Sequence, residues 1–231
     1  MMSRTRDDRT MGPGLPNTGM NRLPGCALSR LRGAAWLMIT LMAAMAGIGW
    51  ADSWEAIRSA ARGISTVQSP FTQEKHLRML AGPLISKGRL VFRRPGSLRW
   101  EYLAPIPSVL LMHGGAMHRF QEIDGRWIED TAGGVSAMPV VAEEITRWLN
   151  GQFEGNPYFT AALAPGSRVT LTPKDPSMAR IISQIVLELG DRPGIITAVT
   201  IHESPTSYTR ILFDSPLINA PVDDALFTEV P

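Results

Sequence analysis

The segment from Ser86 to Tyr102 constrains the fold more than any other part of this chain. It reads SKGRLVFRRPGSLRWEY, and apolar side chains recur at every second residue on both sides of one break. Leu90 and Phe92 fall on one face, with Arg89, Val91 and Arg93 on the other. After Pro95-Gly96-Ser97, Leu98, Trp100 and Tyr102 share a face opposed by Arg99 and Glu101. Successive strand residues point to opposite sides, so a period of two is the signature of a half-buried strand. Two such runs separated by Pro-Gly-Ser predict an antiparallel hairpin.

The same period extends along most of the chain from Val67 onward. Pro105 and Pro107 interrupt it, and Val109, Leu111 and His113 then read as a strand ended by Gly114-Gly115. Met117 to Phe120 and Arg126 to Glu129 read as short strands around the Asp124-Gly125 turn. Val169 with Leu171, Ile181 to Leu189, Ile195 to Ile201 and Tyr208 to Phe213 follow, and a short segment at Phe227 closes the chain. Short strands at near-regular spacing predict an antiparallel meander. Two stretches depart from it. Trp54, Ile57, Ala61 and Ile64 recur at helical spacing behind Asp52 and Ser53, either of which can cap a helix. Between 131 and 163, Val141, Ile145, Trp148 and Leu149 predict one helix, stopped by Asn150-Gly151. Tyr158, Phe159, Ala162 and Leu163 predict a second, short helix after Pro157. The expected class is α+β, mainly antiparallel β, with a helical insert.

The amino terminus follows different rules. Residues 1 to 32 hold six Arg against Asp7 and Asp8, and 33 to 50 carry no charge. Gly49-Trp50-Ala51 then places small residues at −3 and −1 before Asp52. A basic region, an apolar run and a small-x-small site describe a secretory signal peptide over 1–51, with an uncleaved anchor as the alternative. Leu23-Pro24-Gly25-Cys26 resembles a lipobox, but Cys26 precedes the apolar run that a lipidated Cys must follow. Removing 1–51 takes away six of the 23 basic and two of the 21 acidic residues, leaving 17 and 19. The net charge moves from +2 to −2, and the single Cys is lost. The case for a nucleic-acid partner therefore disappears.

Residues 52–231 offer little for catalysis. His76, His113, His118 and His202 form no i, i+4 pair and share no ligand spacing with a carboxylate, so no metal is expected. There is no G-x-S-x-G, no dinucleotide fingerprint and no P-loop. Glu143-Glu144 reads as a solvated helix face. The expectation is a protein that is not an enzyme and needs no cofactor. What remains is apolar. Leu90, Phe92, Leu98, Trp100, Val109 and Leu111 on a small sheet, with Trp54, Trp148 and Phe159 on helices, can form an ordinary core. A sheet curved around helices can also leave an apolar cavity between the layers.

The order of several short motifs resembles the LolA family of periplasmic outer-membrane lipoprotein carriers. Phe71-Thr72-Gln73 follows the first helix, and Gly88 precedes a strand ending in Arg94-Pro95. Leu98, Trp100 and Pro105 come next, then Val109 to Met112 and a Gly pair, Leu171-Thr172-Pro173-Lys174, and Phe227 to Pro231 as F-x-x-x-P. The resemblance covers residues 52–231. It implies an incomplete, curved antiparallel barrel, closed by a helical lid over an apolar cavity for lipoprotein acyl chains. It also implies a monomer that takes cargo from an inner-membrane ABC-type exporter and gives it to an outer-membrane receptor. Arg94 matches an Arg that bonds to the lid, and Leu98 matches a side chain at the exporter-facing mouth. An inward guanidinium on the face of Leu90 and Phe92 is costly unless bonded, and lid carbonyls would bond it. The expected cavity and lid set is Leu90, Phe92, Arg94, Leu98, Trp100, Val109, Leu111 and Trp148. His113-Gly114-Gly115 stands where the family has an aspartate-glycine turn, and the insert aligns poorly. The run Pro83-Leu84-Ile85-Ser86-x-Gly88 is closer to relatives that serve other amphiphiles, such as glycolipids or polyene-linked lipids. A membrane-anchored periplasmic scaffold is the competing reading.

Overall fold

The computed structural model describes residues 53–130, 138–192 and 194–231. The expected signal peptide, its cleavage site and the loop at 132–136 lie outside the described residues.

Helix α1 (Trp54–Arg62) leads into β1 (Thr66–His76), β2 (Leu84–Arg93), β3 (Ser97–Ala104), β4 (Ser108–His113), β5 (Ala116–Ile123) and β6 (Arg126–Glu129). Helix α2 (Met138–Leu149) follows, then β7 (Phe159–Ala164), β8 (Arg168–Pro173), the short α3 (Pro176–Ala179), β9 (Gln184–Leu189), β10 (Ile196–Ser204), β11 (Ser207–Phe213) and β12 (Leu217–Ile218). A 3₁₀ turn at Asp224–Phe227 comes last. The strands form one antiparallel sheet in the order β6-β5-β4-β3-β2-β1-β11-β10-β9-β8-β7, with β12 paired to β1. Two meanders thus meet where β1 pairs with β11. The sheet is curved and open, as expected for an incomplete barrel.

Local chemistry explains most of these elements. Ser53 caps α1 through its hydroxyl, which accepts from Ala56 N at 3.1 Å, and Ile57 and Ala61 are the buried stripe of that helix. The predicted β2–β3 hairpin forms, with Phe92 opposite Leu98 and Leu90 opposite Trp100. Gly88 is required where it stands. A Cβ there would lie 2.1 Å from the Glu101 carbonyl oxygen and 2.4 Å from Phe71 Cζ. Phe71 lies opposite Gly88 in the register and fills the space a side chain would take.

Three expectations are corrected. Residues Phe159–Ala164 form strand β7, not a short helix. Phe159 is buried, and Ala161 and Leu163 lie opposite Leu171 and Val169 of β8. That is period two, and the edge of β8 supplies the ladder bonds, so tertiary pairing overrides the helical reading. Ile181 precedes β9 and is exposed, rather than sharing its inward face. Glu144 is buried, 1% exposed, not part of a solvated face.

Glu144 joins α2 to the entry of β7. Its carboxylate accepts from Asn156 Nδ2 at 2.6 Å. The Asn156 side-chain oxygen in turn accepts from the backbone N–H groups of Tyr158 and Phe159. Burial pushes the Glu144 pKa above the ordinary carboxylate value, opposed by the Asn156 bond and by Arg147. The folded protein therefore holds this proton to higher pH than the unfolded chain does. The stability tied to the proton is complete below the unfolded-chain value and is lost as the pH rises through the folded value. Glu144→Gln keeps an acceptor for Asn156 and removes the titration. Urea denaturation across pH should show the variant gaining stability relative to wild type as pH rises from about 4 to about 8. A constant difference across that range would show that Glu144 does not titrate between the folded and unfolded states.

Candidate functional site

Register assigns each strand residue to one of two faces. The pairs Val67 with Phe92, Ser69 with Leu90 and Phe71 with Gly88 put these β1 and β2 residues on one side. Leu98, Trp100 and Tyr102 of β3 continue that side, as do Leu110 and Met112 of β4. Across the β1–β11 seam the same face carries Ile211 and Phe213, then Val199 and Ile201 of β10. Phe71 sits at the centre of an aromatic cluster, 4.6 Å from Trp100 and 5.4 Å from Tyr102 between ring centroids.

Helix α2 covers this face and leaves two adjoining spaces beneath it. The inner one is a narrow cleft with a cavity volume of about 20 Å³, room for about one water molecule, between Ile145, Trp148 and Leu149 of α2 and Leu90, Trp100, Val199 and Phe213 of the sheet. Its polar content is small. Among the described residues Ser69 is its only hydroxyl-bearing lining residue, and that hydroxyl lies 2.9 Å from the carbonyl oxygens of both Pro70 and Asp214, which share its one proton. The outer space, about 260 Å³, shares Trp100, Ile145, Ile201 and Ile211 with the inner one. Its far end is polar, with Gln73, Lys75, Glu203 and Thr209. Tyr102 donates there to Gln73 at 2.8 Å, and burial raises the Tyr102 pKa. The two spaces adjoin, the inner one apolar and the outer one polar at its far end.

Arg94 fastens α1 beside these spaces. Its Nη2 donates to the Ala61 carbonyl at 2.5 Å and its Nε to the Ile64 carbonyl at 3.0 Å. These are acceptors at the carboxyl end of a helix, where the backbone dipole is negative. Ala61 is fully buried and tightly enclosed. A Cβ on Gly151 would come within 2.8 Å of the Ala61 Cβ, and one on Gly194 within 3.0 Å of the Ala61 N. Both glycines also have positive φ, 71° and 87°, which favours glycine on conformational grounds. Trp54 of α1 stacks on Phe153 at 5.7 Å and ties the helix to the segment after α2.

The expected site residues separate into three groups. Leu90, Trp100 and Trp148 line the inner space. Phe92 and Leu98 share their face but are fully buried in the core and line neither space, and Leu98 is closed off from any surface mouth. Val109 and Leu111 lie on the opposite face, and this placement corrects the sequence reading. They lie opposite Glu101 and Arg99 of β3, whereas Leu110 and Met112 take the inward positions. The sequence VLLM is apolar throughout, so alternation alone could not choose between the faces. Val109 and Leu111 are nevertheless buried, because the carboxyl-terminal segment lies over the outer face. Arg99 donates to the carbonyls of Leu226 and Glu229 at 3.0 and 2.8 Å and to Glu101 at 2.9 Å. Burial raises the Glu101 pKa, but bonds from Arg99 and Arg89 outweigh it and hold the carboxyl below its ordinary value. Sequence reasoning missed Ile145, Val199, Ile201, Ile211 and Phe213 as lining residues. For Val199, Ile201, Ile211 and Phe213 the spacing of two within β10 and β11 was the available signal, and for Ile145 its helical spacing with Trp148 and Leu149.

A family profile described as "Outer membrane lipoprotein carrier protein LolA" matches residues 62–229. The chain belongs to the LolA family. Among curated protein sequences none matches significantly. Among solved structures, the chain is similar to a putative outer membrane lipoprotein-sorting protein domain from Vibrio parahaemolyticus, at 9% identity and TM-score 0.41, covering 75% of this chain and 95% of that one. It is similar to a LolA superfamily protein from Nitrosomonas europaea at 10% identity and TM-score 0.39, over 78% of this chain and 99% of that one. It is also similar to the lipoprotein LppX from Mycobacterium tuberculosis at 15% identity and TM-score 0.39, over 74% and 96%. Among the described residues of this LolA-family chain, no helix is long and apolar enough to cross a membrane. Among the same residues no group of three His, Cys, Asp or Glu is placed to hold a metal ion.

Replacing Arg94 tests the fastening of α1. Arg94→Met keeps the aliphatic stem and removes both donors. Each bond from a charged donor contributes about 1.5–3 kcal/mol, so the variant should lose about 2 kcal/mol or more of stability. Amide exchange should accelerate in 54–64 while the central strands keep their protection. Unchanged exchange in α1 would show that packing around Ala61 holds the helix without Arg94.

Proposed function

We propose that this chain is a periplasmic carrier that shields the acyl chains of lipoproteins between the inner and outer membranes. The observation that carries this reading is the apolar space under α2, in a chain of a family described by lipoprotein carriage. Each methylene exposed to water costs about 0.8 kcal/mol, so a sixteen-carbon chain costs on the order of 12 kcal/mol. Spontaneous transfer through an aqueous compartment is negligible against that figure, whereas a lining of Ile, Val, Leu and aromatic side chains removes most of it once movement of the covering helices widens the narrow inner space. Met112 and Met117, which pack against the core, add adaptable contacts that suit reversible loading. In this reading residues 1–51 direct export and are removed, and the mature chain acts as a monomer. An inner-membrane ABC-type exporter loads it and an outer-membrane receptor unloads it. The Arg94 fastening resists movement of α1 and so sets the cost of opening. The protein performs no catalysis in this reading.

A second reading, carriage of another amphiphile such as a glycolipid, is favoured by the outer space. Gln73, Lys75, Glu203 and Thr209 there can hydrogen-bond a sugar or other polar head, while the tail lies deeper.

Photo-crosslinking residues at Val199 and Ile201, in protein recovered from the periplasm of expressing bacteria, should capture cargo that intact mass spectrometry can weigh. Acylated protein supports the first reading and a glycolipid the second. Uncrosslinked protein at both positions overturns both and favours the anchored scaffold, as would an intact amino terminus in the membrane fraction. Val199→Trp, which fills the inner space, should reduce captured cargo by about tenfold, the effect of losing roughly 1.4 kcal/mol of binding.

A further inference from the structure

We infer that one end of the sheet, made of two adjacent hairpin tips, docks directly onto an anionic lipid bilayer. The β1–β2 turn and its flanks, Lys75 to Lys87, contain no acidic residue, and the β3–β4 turn, Leu103 to Pro107, contains no charge at all. Register brings the two together: Lys75 lies opposite Leu84, and Lys87 lies opposite Ala104. The side chains displayed there are unusually apolar for a surface. Met79 is 87% exposed, Leu84 52%, Leu103 54% and Ile106 58%, with Leu80 and Ile85 exposed beside them. Large contiguous apolar exposure marks a contact surface rather than incidental surface composition.

The charges around these tips select the partner. Lys75 pairs with Glu203 at 3.5 Å, and Glu74 lies opposite Arg210 with His76 at 3.5 Å. That leaves Arg78 and Lys87, both exposed, with no carboxylate partner among the described residues, while the neighbouring β5–β6 turn at the same end carries Glu122 and Asp124 beside Arg126. Apolar loop tips bordered by surplus cations match the boundary of an anionic bilayer, where apolar side chains enter the acyl region and cations meet lipid phosphates. The polar opening of the outer space lies at this same end, since Gln73, Lys75 and Tyr102 belong to the tip-proximal parts of β1 and β3. Docking in this pose presents the opening to the membrane.

The test reads position, so it is independent of any affinity of residues 1–51 for lipid. In the full chain carrying Cys26→Ser, an environment-sensitive fluorophore is placed by Met79→Cys, Ile106→Cys or Asp191→Cys, the last at the opposite end of the sheet. Vesicles of phosphatidylglycerol and phosphatidylethanolamine should shift the emission at 79 and 106 to the blue, and lipid-borne quenchers should quench both. Position 191 should stay unchanged. Arg78→Glu with Lys87→Glu should raise the lipid concentration needed at 79 by about tenfold or more, since each cation near such a surface contributes roughly fivefold and reversal doubles the change. Neutral phosphatidylcholine vesicles should give a much weaker shift. Equal responses at 79 and 191 overturn the proposal, as does a shift that appears without vesicles and grows with protein concentration, which would assign the tips to a second copy of the chain. No cargo is used, so failure here leaves the carrier reading standing, and failure to capture cargo leaves docking standing.

Discussion

The arrangement depends on one cation held against the end of one helix. Arg94, just past the end of β2, reaches the Ala61 carbonyl in the last turn of α1, which also accepts from Ile64 N at 3.0 Å, and the Ile64 carbonyl just beyond the helix. The guanidinium satisfies them and meets the negative end of the helix dipole. Asn219 completes the attachment by donating to the Gly63 carbonyl at 2.9 Å and accepting from Ser65 N at 2.7 Å. The close approach of Gly151 and Gly194 to Ala61 then brings α1, the end of α2 and the β9–β10 turn to one point. Every wall of the inner space except the strands themselves is positioned from there.

The sheet carries different chemistry on its two faces. The inward face keeps its polar groups few, with the Ser69 hydroxyl bonded to the backbone and the Trp100 indole N–H, like that of Trp148 on α2, buried without a hydrogen-bond partner among the described residues, and it leaves space against α2. The outward face of β2–β4 concentrates charge. Arg89, Arg99 and Glu101 share hydrogen bonds, and Arg93 pairs with Asp224 while lying 4.8 Å over the Phe227 ring. A buried charge network costs desolvation and is not by itself a source of stability. Here it fixes where the carboxyl-terminal segment crosses the sheet, because Arg99 holds the carbonyls of Leu226 in the 3₁₀ turn and of Glu229 beyond it. Rigidity is thus built on the outside, and adjustable packing is left to the inside.

Much of this was legible from residue order. The β2–β3 hairpin and α1 follow from alternation and capping, and a helix contact for Arg94 was implied by the family resemblance, with the cost of an unpaired inward cation in agreement. The face of β4 did not, since Val109-Leu110-Leu111-Met112 offers no polar residue to mark the outside; only pairing with β3 decides it. Strand β7 was misread because Phe159, Ala162 and Leu163 fit a helical stripe as well as Phe159, Ala161 and Leu163 fit a strand. Glu144 was misread because its burial depends on Asn156, a partner twelve residues away that local pattern cannot supply. The lining contributed by β10 and β11 needed the β1–β11 seam, a contact between residues far apart in sequence.

The sheet's two ends, β6 and β7, share no ladder among the described residues. In a closed barrel the diameter is set by strand number and stagger, and no strand can move without breaking bonds to a neighbour. An unjoined sheet has no such fixed girth. Like a split piston ring, it can widen or tighten across its gap while every existing pair keeps its hydrogen bonds. The bore is then governed by side-chain packing and by the helices laid across it, and the thickness of what is held is uncoupled from the integrity of the fold.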